Sequence, residues 1–133
     1  MNKFILAAAV LSALTLLLHV FGGAPQYLVP AWASDMSADQ KTLYSVLWHT
    51  ITALLGINAT ALVFAARSAR PTPLVLLVSA QYMAMAVLFF VLGLAHLGTL
   101  WVQPQWVIFS AISALAILGL RGAHKSLKNS TAL

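Results

Sequence analysis

The chain has 133 residues, of which 62% are hydrophobic and 7% are charged, and its formal net charge is +5. A soluble domain needs more polar residues than this to cover its core, so the composition indicates an integral membrane protein. The absence of cysteine excludes disulfides, thiolate metal sites, iron–sulfur clusters and cysteine catalysis. The only acidic residues are Asp35 and Asp39, so a catalytic pair of carboxylates would have to come from one short segment.

Four apolar runs predict four transmembrane helices, at residues 4–21, 43–66, 74–97 and 102–120. A helix of about 20 residues crosses the ~30 Å hydrocarbon layer of a membrane. The runs are rich in Leu and Ala and lack the strict alternation that a membrane β-barrel requires. The sequence therefore predicts an all-α fold, an integral membrane antiparallel four-helix bundle that forms a single domain over residues 1–133.

The first helix is predicted to end where helix-breaking residues are concentrated, at Gly22, Gly23, Pro25 and Pro30. Residues 22–42 then form an outer loop, which could lie as a lid over a site at that face. Ser37 is followed three residues later by Gln40, a pattern typical of a helix N-terminus, so the second helix could begin near Ala38.

The basic residues predict the orientation of the chain. They are concentrated at the N-terminus, the second loop and the polar tail 121–133: Lys3, Arg67, Arg70, Arg121, Lys125 and Lys128. The first loop holds only Lys41 beside the two acidic residues, and the third loop holds no charge. Because cytoplasmic segments carry an excess of Lys and Arg, we expect both termini and the tail to be cytoplasmic, in a bacterial inner (plasma) membrane. The positive charge is then a topology signal and attracts anionic lipid headgroups, and nucleic acid binding is not indicated.

Three of the four histidines, His19, His49 and His96, lie in the apolar stretches near the ends assigned to the outer face. An ionisable residue in a membrane span is costly when charged, so it is treated as a functional hypothesis. Small or polar residues lie three and four positions from each histidine along its helix, and such residues allow membrane helices to approach closely. We therefore expect all three imidazoles to face the interior of the bundle.

One interpretation of this histidine cluster is a metal site. Three neutral imidazoles around an open position suit zinc or copper, with Asp35 from the outer loop completing the shell. Two of the imidazoles with Asp35 would instead resemble a facial iron triad, and two imidazoles alone could ligate a haem iron axially. Spacing does not support these sites by itself, because His19, His49 and His96 come from three separate helices.

Other interpretations need no cofactor. Each imidazole could make a hydrogen bond between helices or reach headgroup water. The histidines could also form a proton or substrate pathway, extended inward by Asn58 and Gln81. The serines lack a GxSxG motif, so the sequence does not indicate an enzyme.

Three short segments carry a family resemblance: residues 19–23 (HVFGG) closing the first helix, residues 48–49 (WH) opening the second, and residues 95–98 (AHLG) closing the third. In this layout the chain resembles small four-helix bacterial inner-membrane proteins of unknown function. The resemblance covers the whole chain, and it implies an architecture and a location without implying an activity.

The sequence thus predicts a small polytopic membrane protein with an outward-facing histidine cluster, for which binding of a transition metal or haem is one hypothesis. Two alternatives remain open: a structural or assembly partner of a membrane complex without a cofactor, and an oligomeric small transporter or proton-coupled carrier. The carrier would need an oligomer, because four helices rarely enclose a path alone. The expected partners are the lipid bilayer and either further copies of this chain or another membrane protein.

Overall fold

A computed structural model describes the backbone of residues 1–130 and the side chains of residues 1–121. Its elements are α1 (Lys3–Leu17), a π-helix (Leu18–Leu28, here π1), α2 (Val29–Ala33), α3 (Ala38–Arg67), α4 (Thr72–Leu97) and α5 (Gln105–Ser130). The first three follow one another without a break, so the described chain forms four long helical segments and contains no strand. The predicted all-α class and the number of helices are confirmed.

The predicted end of the first helix is wrong. The chain stays helical through Gly22, Gly23 and Pro25 and ends only at Ala33, so residues 22–33 are not a loop. A π-helix closes its hydrogen bonds across five residues instead of four, and we attribute the tolerance of Pro25 to this wider coil, since an α-helix would set its ring against the preceding turn. Pro30 is the second residue of α2, and its missing N–H leaves one hydrogen bond of the continuous helix unmade three residues before the helix ends at Ala33.

Helices α3 and α4 begin and end within five residues of the predicted bounds, whereas α5 ends ten residues beyond its predicted end. The N–H of Ser37 donates to Gln40 Oε1 over 3.0 Å, and α3 begins at Ala38, as the capping pattern indicated. Helix α4 ends at Gly98, which adopts the left-handed conformation with φ of 64°. Helix α5 continues to Ser130, so the segment predicted as a polar tail is largely helical, and residues 131–133 lie outside the described part.

Packing is concentrated at one end of the helices, here called the closed end. It comprises the beginning of α1, the end of α3, the beginning of α4 and the part of α5 around Gly119. Helix α1 packs against α3 and α5, α4 packs against α5, and α3 touches α4 less extensively. Asn2, which precedes α1, joins that helix to α3 and α5. Its backbone N–H donates to Ala66 O of α3 (2.8 Å), and its side-chain Nδ2 donates to Gly119 O of α5 (2.7 Å). The same side chain caps α1 by accepting from the N–H groups of Phe4 and Ile5.

The opposite end, here called the open end, has no comparable core. It comprises π1, α2, the beginning of α3, the last turn of α4 and residues 98–104. No residue between positions 16 and 54 is buried. The largest fully buried side chains belong to the closed end and the middle of the helices, among them Ile5, Leu55, Leu62, Val75, Tyr82 and Ile112.

Three of the helical segments are long and apolar enough to cross a membrane: Lys3–Ala33 with 31 residues, Ala38–Arg67 with 30 and Thr72–Leu97 with 26. The fourth apolar segment, Gln105–Arg121, is shorter.

Candidate functional site

His19 is the one predicted site residue that the structure holds between two helices. It is the second residue of π1, and its Nε2 lies 3.1 Å from Thr52 Oγ1 and 3.4 Å from Trp48 O, both on α3. The Thr52 hydroxyl itself donates to Trp48 O over 3.0 Å. Nε2 therefore carries the hydrogen and donates to these oxygens, which leaves the lone pair on Nδ1.

Trp48 forms the other side of this arrangement. Its ring stacks on the His19 imidazole with a centroid distance of 4.1 Å and an interplanar angle of 18°. The ring centroid of Tyr27 lies 6.4 Å from that of Trp48. Gly23 makes room for the indole, because a Cβ at that position would lie 2.9 Å from Trp48 Cη2. We call His19, Gly23, Tyr27, Trp48 and Thr52 the His19–Trp48 site.

The predicted histidine cluster is not assembled. His49, His96 and Asp35 are exposed, and only His19 is half-buried. In the part of the chain that the structure describes, no three His, Asp or Glu side chains are placed to hold a metal ion. The expectation that every imidazole faces the interior is therefore wrong for His49 and His96.

The position of each helix face explains this difference. Adjacent residues of an α-helix point about 100° apart. On α3 it is Trp48 that stacks on His19 of π1, and the next residue, His49, is exposed. On α4 the last buried residue is Gly93, and His96 lies beyond it, where the helices no longer enclose a core.

A second group of polar side chains lies deeper in the helices and is here called the central polar cluster: Ser12, Asn58 and Tyr82. The hydroxyls of Ser12 on α1 and Tyr82 on α4 are hydrogen-bonded to each other, and Tyr82 is fully buried. Asn58 of α3 lies beside the Tyr82 hydroxyl, but its amide nitrogen has no hydrogen-bond partner in the described residues. On the side of the cluster toward the closed end, Ser113 Oγ donates to Ser79 O over 2.9 Å, and this hydrogen bond joins α5 to α4.

The polar groups of both sites make contacts between helices. The His19–Trp48 site offers one half-buried imidazole with a free Nδ1, whereas a zinc site needs three or four ligands and bis-histidine haem needs two axial ones. The hydroxyls of Ser12, Tyr82, Thr52 and Ser113 bond across helices, a role the sequence left open for buried polar residues. Trp48, which stacks on His19, is a residue of this site that the sequence analysis did not name as a candidate.

No known family matches the chain, and neither a curated protein nor a solved structure is significantly similar to it. The chain is therefore assigned by class: an all-α protein with three helices long and apolar enough to cross a membrane.

Proposed function

We propose that this protein is a four-span protein of the bacterial inner membrane that serves as an assembly partner of another membrane protein and binds it through the open end. The proposal combines a membrane topology, an ordered surface outside the membrane and the absence of an assembled three-ligand site in the described residues.

The charges support a cytoplasmic closed end. Lys3 begins α1, Arg67 ends α3, and Arg70 lies in the connection between α3 and α4, all at the closed end. Arg121 lies in α5 two residues after Gly119, which Asn2 contacts there, while Lys41 is the basic residue of the open end. The excess of basic residues on the cytoplasmic side of membrane proteins then assigns the open end to the outer face. An even number of spans puts the N-terminus and the end of α5 on the same side.

The length of α3 supports an ordered surface beyond the membrane. Its 30 residues extend about 45 Å at 1.5 Å per residue, about 15 Å more than the hydrocarbon layer. With Arg67 at the inner boundary, the excess projects from the outer face together with α2. We call residues 29–45 the outer hairpin.

The outer hairpin is the observation that carries the proposal. It is held together by the Trp32 indole, which donates to Ser45 Oγ over 2.7 Å. It also exposes apolar side chains: Val29 is 61% exposed, Trp32 54% and Leu43 60%. With Arg67 at the inner boundary, Leu43 lies 24 residues and about 36 Å along α3, which is about 6 Å beyond the hydrocarbon layer and outside the reach of lipid tails. Exposed apolar side chains on an ordered surface at this level mark protein interaction sites.

Site-specific photo-crosslinking in cells tests the proposal. A photoreactive amino acid at Leu43 is compared with one at Leu77, which is 58% exposed on α4 and would face lipid tails. We expect a discrete protein adduct from position 43 and none from position 77. An adduct of twice the 14.2 kDa chain mass would identify a second copy as the partner. The proposal fails if both positions give the same adducts, or if neither gives a protein adduct.

The metal and haem hypotheses receive less support, since His49 and His96 are exposed and no group of three metal-ligating side chains is placed together in the described residues. Metal analysis and an absorbance scan of protein purified without a histidine tag test them directly. Under the assembly proposal we expect no stoichiometric metal and no Soret band, and either signal would favour the cofactor hypotheses instead.

A further inference from the structure

We propose that the groove between α4 and α5 is a binding site for an anionic phospholipid, with one acyl chain in the groove and the phosphate at Arg121. The inference rests on the membrane insertion proposed above and does not depend on the assembly role or on the outer hairpin.

The groove is an open depression of about 560 Å³ on the outer surface of the α4–α5 contact, toward the closed end. Small side chains of both helices line the groove together with larger apolar residues that include Leu76 and Ile117. The small ones are Ser79, Ala80, Ser113 and Ala114.

The shape of the groove favours an acyl chain over a helix of a partner. From Ser113 to Arg121 the groove follows α5 for about 12 Å, which is little more than two helical turns. Its walls are apolar, which suits a hydrocarbon chain. The hydroxyl of Ser113 is already used, because it donates to Ser79 O.

The charge at the groove's end selects the headgroup. Arg121 lines the groove and is exposed, at the level where the proposed topology puts the phosphates of the cytoplasmic leaflet. The acidic side chains of the sequence are Asp35 and Asp39, and both belong to the open end. No carboxylate side chain of the chain can therefore neutralise Arg121, whereas a lipid phosphate can pair with its guanidinium.

Native mass spectrometry of the delipidated protein tests the site, with phosphatidylglycerol and phosphatidylcholine of identical acyl chains added separately. We expect the first phosphatidylglycerol to bind at least about 5-fold more tightly than phosphatidylcholine, equivalent to ~1 kcal/mol for one basic side chain near an anionic lipid. Arg121→Gln should abolish this preference. Arg70→Gln, which removes an exposed charge from the same end but outside the groove, should retain it.

A second pair of variants tests the acyl chain. Ala80 is exposed and lines the groove, so Ala80→Leu fills it without disturbing the core, and we expect weaker binding of both lipids at the first site. Ala53 is exposed on α3 and lies outside the groove, so Ala53→Leu adds the same volume elsewhere. This variant should bind both lipids as the unmodified protein does. The inference is overturned if the unmodified protein does not distinguish the two lipids, if Arg121→Gln and Arg70→Gln lower the preference equally, or if Ala80→Leu has no effect.

Discussion

The close approach of Gly23 to Trp48 allows a comparison of two neighbouring glycines in the same π-helix. A Cβ at Gly23 would lie 2.9 Å from Trp48 Cη2 and 3.4 Å from Cζ2, whereas a Cβ at Gly22 would have nothing within 4 Å. Both substitutions to Ala reduce the freedom of the unfolded chain, which favours folding by about 0.4–1 kcal/mol. The difference between the two variants therefore isolates the contact with Trp48.

The magnitude follows from the displacement that the new methyl group requires. Carbon atoms at optimal separation are ~3.5–4.0 Å apart, so the end of the indole must move by about 0.6–1 Å. The ring is stacked on His19, and an aromatic stack contributes about 0.5–1.5 kcal/mol beyond its buried area. We expect Gly23→Ala to be less stable than Gly22→Ala by about 1 kcal/mol.

Unfolding in mixed detergent micelles, followed by tryptophan fluorescence, measures this difference. Trp48 is one of four tryptophans, so its displacement should also change the emission of the folded Gly23→Ala protein. Equal stability of the two variants within about 0.3 kcal/mol, together with an unchanged emission spectrum, would refute the packing of Trp48 against Gly23.

Three further predictions concern the helix contacts, each measured by the same unfolding assay. Gly119→Ala should destabilise by about 1–3 kcal/mol, because its Cβ would lie 3.1 Å from a backbone nitrogen of α1 and closer still to an adjacent side chain, and a neutral result would exclude this contact. A double-mutant cycle of Ser12→Ala with Tyr82→Phe should give a coupling of about 0.6–1.7 kcal/mol, and additive effects would contradict their hydrogen bond. His96 is exposed, so His96→Ala should change the free energy of unfolding by less than about 0.5 kcal/mol. His19→Ala should lower it by more, because the stack on Trp48 and the hydrogen bond to Thr52 are lost, and equal effects of the two variants would contradict these contacts.

The helices themselves could be predicted from the sequence because their signals are local. Long apolar runs predict membrane-length helices, the pair Ser37 and Gln40 predicts the start of α3, and Gly98 ends α4 in the left-handed conformation that glycine tolerates best. The π-helix could not be predicted, since Gly22, Gly23 and Pro25 disfavour an α-helix and nothing local shows that a wider coil accommodates them.

The interior faces of the helices could be predicted only in part. Thr15 and Ser12 lie four and seven residues before His19 on one stripe, and both are buried as that stripe suggested. On α3 the same reasoning predicted that His49 faces the interior. In the structure Trp48 stacks on His19 instead, and His49 is exposed. When apolar residues surround a helix on all sides, hydrophobic periodicity no longer distinguishes the packed face from the face toward lipid.

The depth of the polar groups bears on the carrier hypothesis. A proton or substrate path needs polar or hydrated groups from one face of the membrane to the other, since unpaired polar groups in hydrocarbon are costly. His19 and Thr52 supply such groups near the open end, and the central polar cluster continues them to Tyr82, about 15 Å along α4 from its first residue. From there to the closed end the buried residues of α1, α3 and α4 are almost all apolar: Ile5, Ala8, Ala9, Leu62, Ala65, Ala66, Val75 and Val78, with Ser79 just below Tyr82. In a single copy the polar groups therefore stop about halfway, which favours helix association over conduction and leaves an oligomer as the arrangement in which a carrier could still form.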